Sequence, residues 1–202
     1  MVTRIVYDTE FLDDGSTISP ISAGFVRPSD GNTLYVINDD LSVIARAVEN
    51  EWMRTNVIAH LPIEITYDAD YGALRANVAW NEDHPDYNAV VPMDAFRDRV
   101  EDFVLETNDP ELWAYYASYD HVLLAQLFGP MVELPPGFPM YTMDIKHECV
   151  MRGNPELPEL PMAEGETRKP HHALFDAMEE AYRLQWLESR PRGVGCFSPS
   201  GV

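Results

Sequence analysis

The stretch "YDTEFLDDG" (Tyr7 to Gly15) holds four carboxylates within seven positions: Asp8, Glu10, Asp13 and Asp14. Carboxylates this close repel one another unless a cation holds them or water screens them. The residues "TRIVY" ahead of them form a short, β-rich apolar run. Strand side chains alternate with period two, so Asp8 and Glu10 share a face. Two carboxylates about 7 Å apart along a strand can converge on one hard cation. Asp13 and Asp14 stand with Gly15 in a turn signal, and Asp14 would lie about 20 Å from Asp8 in an extended strand. They read as solvated turn residues. Taken alone, Asp-x-Glu is common by chance and equally describes an exposed strand end.

Two more places could do chemistry. Asp120, in "YYASYDHVLL", falls at the start of a helix that follows an apolar strand. A lone aspartate there serves as a cap or first-turn residue, yet strand-to-helix junctions are also where α/β sites are built. In "KPHHALFDA", His171 and Asp176 are five residues apart, about 140° around a helix, so they cannot share a helical face. The conflict resolves if His171 ends the loop after Pro170 and Asp176 lies inside the helix. A loop histidine beside an anchored carboxylate suits a general base next to a metal site, and equally a surface histidine and a solvated aspartate. His60, His84, His121 and His147 have no ligand partners at useful spacing.

The elements that must position these residues follow in order. "TRIVYDTEF", "STISPISAGFVRP" and "NTLYVIN", separated by tight turns, predict an antiparallel meander. "LSVIARAVENEWMRTNVIAH" (41–60) reads as mostly helical. Residues 61–92 are expected to be an insertion or excursion containing a strand in "LRANVAW" and the turn-rich "NEDHPDYN". "MDAFRDRVEDFVLET" spaces Phe96, Val100, Phe103 and Val104 as a helix face. "ELWAYYA" reads as a buried strand, "SYDHVLLAQLFGP" as a short helix stopped at Gly129 and Pro130, and "FPMYTM" as a last strand. A short helix starts at Asp144, "GNPELPELPMAEGETRKP" is a loop, and a final helix spans about 173–189. The resulting order, β-β-β-α-β-α-β-α, is an α/β arrangement with a mixed central sheet and helices on its faces.

The chain of 202 residues suits one domain, 1–189, with a flexible C-terminal tail, 190–202. No apolar run reaches the length of a membrane span, and "MVTRIVYD" lacks a secretory apolar segment, so a cytoplasmic location is expected. Two cysteines, Cys149 and Cys196, make neither a disulfide scaffold nor a zinc pattern. The net charge of −20 argues against a non-specific nucleic-acid coat. It leaves room for a nucleic-acid enzyme, because bound divalent cations invert the sign of a carboxylate site. Half of the fourteen basic residues lie between Lys146 and Arg192.

Together and in order, "DTE", "SYD" and "HHALFDA" resemble the three motifs of the DEDDh, or DnaQ-like, 3′–5′ exonucleases. The longer stretches "YDTEFLDDG" and "YDHVLLAQLFGPM" are most similar to the small actinobacterial and phage exoribonucleases. The resemblance covers about residues 1–188 and is weakest over 61–92. It implies a ribonuclease H-like fold with a mixed five-stranded sheet, three strands antiparallel and the rest parallel. It also implies a site for two divalent cations, Mg²⁺ with Mn²⁺ as a substitute. Asp8 would bridge both cations, Glu10 and Asp176 would complete the first one's protein ligands, and Asp120 would hold a water or enter the shell. His171 would deprotonate the attacking water. The next residue is His172, where proofreading members often carry glycine; His171 is favoured because only it leaves the four-residue gap to Asp176.

The expected activity is release of nucleoside 5′-monophosphates from the 3′ end of RNA. A DNA exonuclease, a non-catalytic nucleic-acid-binding module and a ribonuclease H-type endonuclease are the alternatives. Phe11, Tyr119, Arg168 and Lys169 are candidate substrate contacts. Phe11 and Tyr119 (with Tyr116) also have packing roles open to them, and Arg168 and Lys169 equally describe a charged loop. A homodimer is implied by the resemblance alone.

Overall fold

The computed structural model describes residues 2–70 and 73–192. The chain begins with an antiparallel meander of β1 (Thr3–Asp13), β2 (Ile18–Arg27) and β3 (Asn32–Asn38). Asp13 and Asp14 build the first turn. Asp13 accepts the Gly15 N–H at 2.7 Å, and Asp14 accepts those of Ser16 and Thr17 at 3.0 and 2.8 Å.

The helical reading of 41–60 divides into α1 (Leu41–Glu49), α2 (Glu51–Asn56) and a 3₁₀ turn (Ile58–His60). Asn50 is the cause. Its backbone is extended, and its side chain accepts the Met53 N–H at 3.1 Å, capping a new helix instead of continuing the old one. Next comes an antiparallel hairpin, β4 (Ile63–Asp70) and β5 (Ala73–Trp80), which forms a separate two-stranded sheet. Its Ile63, Ile65, Val78 and Trp80 pack on the apolar cluster that includes Ile44 and Val48 of α1. A two-residue strand, β6 (Val90–Val91), then pairs in parallel with β3.

The remaining elements are α3 (Met93–Leu105), β7 (Pro110–Ala114), α4 (Ser118–Gln126), β8 (Thr142–Asp144), α5 (Ile145–Met151) and α6 (Ala173–Glu188). β7 runs parallel to β1 and β8 parallel to β7. The main sheet has the order β6-β3-β2-β1-β7-β8, so the expected five strands are joined by the short β6. Two strands are shorter than their apolar runs. Pairing in "ELWAYYA" stops at Ala114, because Tyr116 turns into the left-handed region (φ 59°), and only Thr142 and Met143 of "FPMYTM" enter β8. Of the tail, residues 193–202 lie outside the described residues.

Helices cover both faces of this ribonuclease H-like sheet. On one face Phe25 and Val36 pack with Phe96 and Val100 of α3 and Leu123 of α4. On the other, Val6 and Trp113 pack with Ile145 of α5 and Ala177 and Leu184 of α6. Asp8 and Glu10 share the parity of Val6 and so emerge on the α6 side. Gly24 faces Asp8 across the β1–β2 ladder, and a Cβ there would lie 2.2 Å from the Leu174 nitrogen. The bare backbone at Gly24 therefore lets the first turn of α6 sit directly on the sheet beside Asp8.

Candidate active site

Asp8, Glu10, Asp120, His171 and Asp176 all line one cleft of about 620 Å³. β1 supplies the first two by its alternation. Asp120 sits in the first turn of α4, just past β7, where its Oδ1 accepts the Thr9 hydroxyl at 2.6 Å and the Thr9 N–H at 3.1 Å. Asp176 sits in the first turn of α6, and its Oδ2 accepts the backbone N–H of His171 at 2.6 Å. His171 precedes the helix, as the spacing requires, with φ 64°. Its ring is 41% exposed; Nδ1 lies 3.9 Å from Glu10 Oε1, and the ring stands edge-on to Trp52 with centroids 4.9 Å apart. His172 points elsewhere, buried against Tyr35.

The carboxylates strain against one another. Burial, then the neighbouring charges of Glu180, Glu10, Asp120 and Asp176, hold the Asp8 carboxyl well above the ordinary range. Glu10 is pushed up to about 9 by burial and by Asp176 and Asp120. Asp176 is pushed up to about 6 by burial, in spite of the His171 N–H it accepts. Burial raises Asp120 as well, against the pull of its Thr9 bonds. Asp8 Oδ2 is buried and has no hydrogen-bond partner. A buried carboxylate oxygen left bare among like charges calls for a proton or a cation. One ligand atom each from Glu10, His171 and Asp176 lies within 4.8 Å of the others. The orphaned oxygen and the oxygen-rich donor set fit a hard divalent cation.

The candidate substrate contacts divide. Phe11 and Tyr119 line the cleft and stack on each other, with centroids 5.9 Å apart and planes 16° from parallel. In an ideal strand Phe11 would point away from Glu10. The β1–β2 register shifts at Glu10/Phe11, where Ser22 and Pro20 face successive β1 residues, so the extra residue is Ile21 of β2 and β1 keeps its alternation. Phe11 therefore points, like Tyr7, to the apolar cluster around Phe25, and it borders the cleft beside Tyr119. Arg168 is not brought to the cleft. Its guanidinium pairs with Glu159 at 2.5 Å and with buried Glu179, which fastens the proline-rich loop to α6. Lys169 does not line the cleft either; its carbonyl accepts the His172 N–H at 3.2 Å.

Among the cleft residues that reading the sequence missed are Glu180, Trp52 and Arg183. Glu180 is one helical turn beyond Asp176, so the i, i+4 spacing in "DAMEE" was the available signal. It is buried, accepts the Tyr115 N–H at 3.2 Å, and its carboxyl is raised well above the usual range by burial and by Asp120 and Asp176. Trp52 is 53% exposed on α2, against the charged pattern around it. Arg183 donates to the Pro158 carbonyl at 3.2 Å and pairs with Glu179 at 3.1 Å. Arg183 stands seven residues beyond Asp176, about 20° from the same helix face, so the i, i+4, i+7 spacing of Asp176, Glu180 and Arg183 was its signal too.

A family model described as the 3′–5′ exoribonuclease Rv2179c-like domain matches residues 3–187. The chain belongs to this family. The Rv2179c-like match runs from β1 to the end of α6 and so includes the β4–β5 hairpin and every residue of the cleft. Two curated relatives from Mycobacterium tuberculosis are similar over nearly the whole chain: 3′–5′ exoribonuclease Rv2179c of strain H37Rv and 3′–5′ exoribonuclease MT2234.1 of strain CDC 1551. Each is 34% identical over 188 residues, which cover 92% of this chain and 94% of the relative. Among the described residues no helix is long and apolar enough to cross a membrane.

Proposed function

We propose that this chain is a metal-dependent 3′–5′ exoribonuclease of the DEDDh type, which shortens RNA from its 3′ end and releases nucleoside 5′-monophosphates. The observation that carries the reading is the convergence of Asp8, Glu10, Asp120 and Asp176, from β1, α4 and α6, around an unpartnered buried oxygen, with His171 at the mouth. These four carboxylates would hold two divalent cations, Mg²⁺ by the chemistry of all-oxygen donors, with Mn²⁺ as a substitute. Such a pair, when bound, lowers the pKa of the attacking water and stabilises the leaving oxygen.

The protein's own residues do the rest. His171 takes the proton of the attacking water on an imidazole nitrogen, which requires a neutral ring. The His171 N–H bond to Asp176 ties this base to a ligand carboxylate, so base and cation site keep a fixed relation. Thr9 locks the Asp120 rotamer with two hydrogen bonds. Glu180 adds a fifth carboxylate, held by Tyr115. Trp52 and the Phe11–Tyr119 pair offer aromatic faces on which unpaired bases stack. The names of the two mycobacterial relatives support RNA over DNA.

Asp8→Ala and Asp176→Ala test the assignment. Both should abolish mononucleotide release from single-stranded RNA with Mg²⁺ or Mn²⁺, with circular dichroism and melting unimpaired. Normal turnover in either variant removes that residue from the site. A wild-type protein that releases no mononucleotide from any single-stranded substrate, yet binds it, returns the chain to the role of a binding module.

A further inference from the structure

The segment between α2 and α3 meets the catalytic loop at His60, edge-on to the His172 ring with centroids 6.5 Å apart, and at Asp86 by a hydrogen bond. Asp86 lies just after the hairpin, in a turn fixed by its own backbone: the Asp86 N–H donates to His84 Nδ1 at 3.1 Å and its carbonyl accepts the Ala89 N–H at 3.0 Å. Asp86 Oδ2 meets His172 Nε2 at 3.4 Å. The other ring nitrogen, Nδ1, accepts the Phe175 N–H at 3.4 Å and caps α6. An acceptor at Nδ1 leaves Nε2 as the protonated nitrogen, so His172 donates to Asp86 and both ring nitrogens are engaged. The ring is 6% exposed and stacked on Tyr35, with centroids 4.4 Å apart.

The residue so held is adjacent to His171, whose φ of 64° is uncommon for a residue other than glycine. Such a backbone persists only when its surroundings over-determine it. On one side of His171 stands its N–H bond to Asp176; on the other stands the His172 ring, held from three directions by Asp86, Tyr35 and α6. We infer that Asp86 is a positioning residue: through His172 it fixes the backbone of His171 so that the imidazole faces Glu10 and Asp176. This rests on the reading of His171 as the general base, and it gives the 61–92 excursion a catalytic task. The hairpin packs on α1, and the turn that follows it presents the acceptor.

The test compares Asp86→Ala, Asp86→Asn, His172→Leu and His171→Ala in steady-state hydrolysis of single-stranded RNA with Mg²⁺, alongside their melting temperatures. Asp86→Ala should lower kcat about 10- to 100-fold with KM within about twofold, the scale of a misplaced reacting group. Asp86→Asn keeps an acceptor for the His172 N–H and should hold kcat within about threefold of wild type. His172→Leu keeps bulk against Tyr35 but loses the Asp86 bond and the α6 cap, and should lower kcat at least as far as Asp86→Ala; it also stands in if Asp86→Ala does not fold. Wild-type kcat in folded Asp86→Ala or His172→Leu, or an equal loss in the alanine and asparagine variants, overturns the inference. His171→Ala separates the two readings: if it is inactive while Asp86→Ala is normal, only the positioning role falls, and if it is active the base assignment falls.

Discussion

Replacing Glu10 with glutamine should end activity and at the same time stabilise the metal-free protein. Glu10 is buried on β1, and its one ion-pair partner among the described residues is His171 at 3.9 Å. Burial and the charges of Asp176 and Asp120 raise its carboxyl from 4.5 to about 9. The unfolded chain releases this proton above 4.5, while the folded, metal-free chain keeps it to about 9. Between those values the unfolded state binds fewer protons, so stability is lost as pH rises. The interval from 4.5 to pH 7, at about 1.4 kcal/mol per pH unit, amounts to about 3 kcal/mol. Glutamine carries no such penalty, and a chain of this size gains about 2–4 °C per kcal/mol, so Glu10→Gln should melt about 6–12 °C higher in EDTA at pH 7. At pH 5 only about 0.7 kcal/mol remains, and the gain should shrink to about 2 °C. With Mg²⁺ the order should close or reverse, because wild type gains from the cation and the variant does not. Calorimetric melts at both pH values, with EDTA and then Mg²⁺, check this. A variant that melts at or below wild type in EDTA at pH 7, or a gain that does not change with pH, refutes the reasoning.

Other outcomes follow from the same geometry. Mn²⁺ binding at pH 7 should release about one proton or more, because Glu10 keeps its proton to about 9, and the release should grow towards pH 5.5 as Asp176 (about 6) also becomes protonated. Titration calorimetry in two buffers of different ionisation enthalpy measures it, and zero release contradicts the raised carboxyls. Gly24→Ala places a methyl 2.2 Å from the Leu174 nitrogen; it should lower Tm by about 5 °C and activity more than about tenfold by pushing α6, and with it Asp176, off the sheet. Wild-type melting and turnover in that variant would show that the contact is not tight. Arg168→Ala should lower Tm and leave KM for RNA within about twofold, since Glu159 and Glu179 already hold the guanidinium; a tenfold rise in KM would return Arg168 to the substrate.

What could be read from the sequence was what local periodicity controls. Asp8 and Glu10 followed from strand alternation, and the loop position of His171 from the angle it would otherwise make with Asp176. The meander and the alternating later strands were legible for the same reason. The hidden parts depend on tertiary contact. Asn50 lies in a helical pattern and breaks it by capping the next helix. Phe11 keeps the parity that sends it to the Phe25 face, yet it borders the cleft because Tyr119 of α4 stacks on it there, a contact no local pattern announces. Arg168 looked free for phosphate until its two glutamates folded beside it. Asp86 sits 86 positions from His172, and nothing local ties it to the loop.

The central claim is tested most directly on single-stranded RNA labelled at its 5′ end, beside the matched DNA, in Mg²⁺ and in EDTA. The RNA should shorten one nucleotide at a time from the 3′ end, with 5′-monophosphates as product, slower turnover on DNA and none in EDTA. Internal cuts, preference for DNA, or undiminished turnover in EDTA would contradict it.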